Sequence, residues 1–61
     1  MSKWSVAKET VTVLCEQAAD HGADAPGMLE ALISTAISAL AAERNAASAK
    51  NFIDYEVGSI N

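Results

Sequence analysis

The sequence predicts an all-α fold, a small three-helix domain packed with a second copy as a symmetric helical dimer. Two breaks divide the chain: the stretch Gly22-Ala23-Asp24-Ala25-Pro26 and the dipeptide Arg44-Asn45. Between the breaks apolar residues recur at helical spacing, and alanine, a strong helix former, is abundant throughout. A chain of 61 residues holds one domain. Helices are expected over about 5–21, 25–44 and 46–58.

In the first segment Trp4, Ala7, Val11, Leu14, Cys15 and Ala18 form one apolar stripe. Lys8, Glu9, Thr12, Glu16 and Asp20 lie largely off it. Ser2 or Ser5 caps the start, and Gly22 supplies a left-handed residue at the end. The run Thr10-Val11-Thr12-Val13 is β-branched and, taken alone, reads as a strand. Helix is favoured by the flanks Ala7-Lys8-Glu9 and Cys15-Glu16-Gln17-Ala18-Ala19, and because no second strand-like segment offers a partner.

The second segment has the clearest start signal. Asp24 or Ala25 is the N-cap, with Pro26 in the first turn, where its missing N–H is no loss. Leu29, Leu32, Ile33, Ala36, Ile37 and Leu40 then recur at the spacing of one helix face. The opposite side carries no proper polar face. It shows Ala31, Ser34, Thr35, Ser38 and Ala42, and Ser34, Ser38 and Ala42 stand four apart, the spacing of a close helix crossing.

The third segment opens at Asn45 as N-cap. Ala49, Phe52, Ile53, Val57 and Ile60 make its stripe, Lys50 and Asp54 can pair four apart on the outside, and fraying is expected near Gly58.

The dimer follows from what three short helices cannot hide. So small a domain buries only about 60% of the surface its unfolded chain exposes, and is marginal alone. A disulfide framework needs paired cysteines and the chain has Cys15 only, while a structural zinc site needs about four ligands. Association remains. Hydrophobic residues make up 51% of the chain, more than a single thin domain can cover. The expected self-association interface is Leu29, Leu32, Ile33, Ser34, Ala36, Ile37, Ser38, Leu40 and Ala42.

Charge and motifs narrow the function. The formal net charge is −4, which disfavours phosphate backbones and anionic membrane surfaces. Met1-Ser2-Lys3-Trp4 has no signal-peptide character. The longest uncharged run, Ala31 to Ala42, is shorter than the roughly 20 residues a membrane span needs. A reducing cytoplasm is therefore expected. Cys15 and His21 stand six apart and face different sides of a helix, so they do not form a nucleophile and base. Glu16 with Asp20 reads as a solvated acidic face, and Gly22, Gly27 and Gly58 are too dispersed for a phosphate loop. No catalytic residue, cofactor or metal is expected.

The expected function is a non-enzymatic protein–protein interaction module or regulator, with a host or neighbouring-gene protein as a further partner. Trp4 either closes the bottom of the core or anchors a partner, and Tyr55, off the Phe52 and Ile53 stripe, is the second aromatic candidate. The alternative is a small DNA-binding transcriptional regulator of ribbon-helix-helix or helix-turn-helix type, with Thr10 to Val13 as its ribbon. Against it, Lys3, Lys8, Arg44 and Lys50 are scattered rather than gathered in a basic stripe.

Overall fold

The computed structural model describes residues 2–60 and is helical throughout its regular parts. Three α-helices follow one another: α1 (Lys3–Glu16), α2 (Ala25–Glu43) and α3 (Ala46–Gly58), with a 3-10 turn (Ala18–His21) after α1.

Each start is fixed by a local oxygen. Ser2 Oγ accepts the Ser5 amide at 3.2 Å, so α1 begins two residues before the expected start. Asp24 Oδ1 accepts the Gly27 amide at 2.8 Å, with Pro26 in the first turn of α2. Asn45 Oδ1 accepts the Ser48 amide at 2.7 Å and opens α3.

The Thr10-to-Val13 run is helical. The two threonine hydroxyls explain how a β-branched run is accommodated. Thr10 Oγ1 donates to the Val6 carbonyl at 2.8 Å and Thr12 Oγ1 to the Lys8 carbonyl at 3.0 Å, so both polar groups are satisfied within the preceding turn. No strand occurs among the described residues, so the ribbon that a ribbon-helix-helix protein requires is not among them.

The expected helix 5–21 is in fact two pieces. The α-helix stops at Glu16, and the chain tightens into the 3-10 turn, where Asp20 N–H donates to the Gln17 carbonyl at 3.1 Å. Gly22 then takes φ 70. The Ala23 amide donates to the Ala18 carbonyl at 3.0 Å and the Gly22 amide to the Ala19 carbonyl at 3.1 Å, the two bonds of a Schellman ending. At the other break α2 stops at Glu43 rather than at residue 44. Arg44 leaves helical geometry so that Asn45 can extend and cap α3.

On the outside of α3, Lys50 Nζ meets Asp54 Oδ2 at 2.7 Å. The hydrogen bond to Asp54, then its charge, raises the Lys50 ammonium above its usual 10.5. The ammonium side of that pair is fully charged near neutrality, and its charge is lost only as pH climbs through the raised value.

Tertiary packing is sparse. α2 is the hub: α1 and the 3-10 turn lean on it, and so does α3, but among the described residues α1 and α3 do not touch. Every residue from Ser2 to Thr10 is exposed. Among the described residues the buried ones are Ala18 and Ala49, 3% and 2% exposed, and no large side chain is buried. The radius of gyration is 13.0 Å, against about 10.5 Å for a compact chain of this length. The accessible surface is 4953 Å². A globular 6.3 kDa protein exposes about 3,700 Å², so this chain carries an excess of about 1,200 Å².

Candidate interaction surface

Four of the exposed large hydrophobic residues, Ile33, Phe52, Val57 and Ile60, gather where α2 meets α3. At 100° per residue, Ile33, Ala36, Ile37 and Leu40 share one side of α2. The two-residue connection Arg44-Asn45 sets α3 beside that side. Phe52, Ile53, Val57 and Ile60 form the opposing wall. The result is an open groove of about 330 Å³ in which Glu56 is the one charged lining residue. Nothing covers it: Ile33 is 58% exposed and Phe52 44%.

A second, smaller hollow of about 230 Å³ lies on another side of α2, where Leu14 of α1 faces Met28, Ala31, Leu32 and Thr35. Its residues on α2 lie roughly 140° around the helix from the groove. α1 and α3 therefore occupy different flanks of α2 and leave most of its circumference open.

The structure divides the expected interface. Ile33, Ala36, Ile37 and Leu40 come together in the groove, while Leu32 belongs to the hollow beside α1 and Leu29 is half-buried near the start of α2. Ser34, Ser38 and Ala42 are all exposed and form a separate row, roughly 150° away from the groove. The second wall, from Phe52 to Ile60, is the apolar stripe of α3, which periodicity alone does not mark as part of a site. The short Arg44-Asn45 connection was the signal that places it there.

Trp4 is 64% exposed and Tyr55 73%. Trp4 therefore does not close a core within its own chain. Its ring lies 5.5 Å beneath the Lys3 ammonium, a weak cation–π contact at an exposed site. Ala7, Lys8 and Val11 continue the surface around Trp4.

The polar residues are dispersed. Cys15 is half-buried near the end of α1, while His21 closes the 3-10 turn. Glu16 and Asp20 fall on different elements and not on one continuous helix. No three or more His, Cys, Asp or Glu side chains gather into a potential metal site among the described residues. Lys3 and Lys8 lie on α1, Arg44 in the second connection, and Lys50 is paired with Asp54.

One property of α2 was not legible from the uncharged run alone. The whole helix is 19 residues long with a mean hydropathy of 1.4, enough by length and composition to cross a membrane, and none of it is buried within the chain.

No family model matches the chain, and neither the curated proteins nor the solved structures contain a significant match to it.

Proposed function

We propose that this chain is a small, acidic, non-enzymatic helical module of the cytoplasm, which self-associates as a dimer and in that form engages a partner protein. The observation that carries the reading is the absence of any buried side chain larger than alanine among the described residues. A stable fold requires more apolar burial than that, and a second copy is the nearest source. The excess of about 1,200 Å² exceeds the roughly 800 Å² that each partner contributes to a standard interface.

The groove between α2 and α3 is the surface to be covered, because its lining is apolar on both walls and has one charge at its edge. Tyr55 stands outside it and supplies an aromatic anchor for a protein partner, and the net charge of −4 favours a basic surface on that partner. Sedimentation equilibrium on the intact chain at micromolar concentration tests self-association. Twice 6.3 kDa is expected; a single-chain mass removes the reading.

A second reading takes α2 as a membrane span. Its support is the length and mean hydropathy of the helix. Against it, the uncharged stretch from Ala31 to Ala42 rises only about 18 Å, well short of a hydrocarbon core of about 30 Å. The dimer is preferred for that reason. Alkaline extraction of membranes from expressing cells separates the two: release into the supernatant supports the dimer, retention in the pellet the span.

A further inference from the structure

We propose that the α2–α3 groove of each chain is filled by α1 of a second copy, the two first helices being exchanged about a two-fold axis. This deepens the self-association reading and rests on it.

The first argument is coverage. Trp4 and its neighbours on α1 form an uncovered apolar face, the groove is another, and among the described residues α1 does not reach α3 of its own chain. Placing groove against groove leaves Trp4 in water and brings two copies of Glu56 into one apolar interface. Exchange of α1 covers Trp4 and the groove together, and covers both grooves with one symmetric operation.

Length agrees. Ile33 and Leu40, at the two ends of the α2 wall, are seven residues apart, and so are Trp4 and Val11 on one side of α1. Each pair spans about 10 Å of helix, so the apolar row of α1 matches the wall it faces.

Charge also agrees. Glu56 is the charged residue lining the groove, and Lys8 lies on the Trp4–Val11 side of α1. Seating α1 in the groove places opposite charges together at the edge, which fixes the orientation of the inserted helix. The exposed N-terminal part of α1 also carries Lys3, while on α3 Asp54 is paired with Lys50 and leaves Glu56 as the acidic group at the groove. The chain's excess surface of about 1,200 Å² is more than the roughly 800 Å² that each partner of a standard interface contributes, so a second copy has enough surface to cover.

Trp4 is the one tryptophan in the chain and reports directly on this arrangement. A dilution series of the intact chain, followed in parallel by sedimentation and by tryptophan emission, is the test. The emission is expected to move to the blue as the dimer forms. Trp4→Lys should weaken association by about 30-fold or more, as loss of a central aromatic anchor does. Trp4 is 64% exposed in the single chain, so the variant removes little packing within it.

Charge exchange gives an independent arm. Lys8→Glu and Glu56→Lys should each weaken the homodimer. Mixed in equal amounts, the two variants should form a heterodimer tighter than either homodimer, because both exchanged contacts then pair opposite charges. A dimer whose tryptophan emission does not change on dissociation, and which Trp4→Lys leaves intact, overturns the exchange while self-association stands. A wild-type chain that is monomeric overturns both.

Discussion

Ala18 and Ala49 are the two buried residues among those described, and they sit on different flanks of α2, one in the turn after α1 and one on α3. Small side chains at these points let the neighbouring backbones approach α2 closely, but they contribute little apolar area. The larger residues, Ile33, Leu40, Phe52 and Val57, surround an open groove instead. In such a chain the energy that normally sits in a core has been displaced to a surface.

Phe52→Ala is expected to loosen self-association. The ring supplies the bulkiest part of the α3 wall, and truncation of a central aromatic at an interface costs at least about 2 kcal/mol, or about 30-fold in dissociation constant. Sedimentation across a concentration series measures it. Tyr55→Ala is the control. It lies outside the groove and is expected to leave the dissociation constant unchanged.

Ser38→Leu separates the two faces of α2. The row of Ser34, Ser38 and Ala42 is exposed on the side turned away from the groove. With the groove as interface, a leucine at this position leaves the dimer mass and affinity as they were. If α2 instead crosses α2 of the second copy through the small row, the larger side chain blocks close approach, and sedimentation will report monomer.

Asp24→Ala removes the oxygen that accepts the Gly27 amide at 2.8 Å. Loss of such a cap costs about 1 kcal/mol, and asparagine at the same position restores most of it. Urea unfolding monitored by circular dichroism, at one fixed protein concentration, reads the difference.

Gly22→Ala tests the turn between α1 and α2. Gly22 sits at φ 70, and a methyl group there meets no atom within 4 Å. The penalty is therefore backbone strain alone, about 1–2 kcal/mol. Gly22→Asn, which tolerates left-handed geometry better, is expected to fall between glycine and alanine in the same unfolding assay.

The starts of α2 and α3 and the turn at Gly22 were legible because their chemistry is local. Asp24 before Pro26, Asn45 before an alanine-rich run, and Gly22 after the first stripe each act within four residues of themselves. The end of α1 was not legible: nothing in Gln17-Ala18-Ala19 distinguishes a continuing α-helix from the tighter turn that leads into the Gly22–Ala23 ending. For the Thr10–Val13 run, propensity alone pointed both ways, and the back-bonded hydroxyls of Thr10 and Thr12 show how the helix accommodates it.

The interface was legible only in part. The periodicity of α2 picked out Ile33, Ala36, Ile37 and Leu40 as one face. It could not show that Leu32 turns toward Leu14, nor that Phe52 and Val57 complete the groove, because a stripe on one helix does not specify which neighbour it meets.

If this chain needs a second copy to cover its apolar surface, dissociation and unfolding are linked, and thermal unfolding followed by circular dichroism over a hundredfold range of protein concentration reads that link. The midpoint is expected to rise steadily with concentration, with helix and association lost together. A midpoint independent of concentration, from a chain that is fully helical and of single-chain mass throughout, would mean that one copy folds unaided.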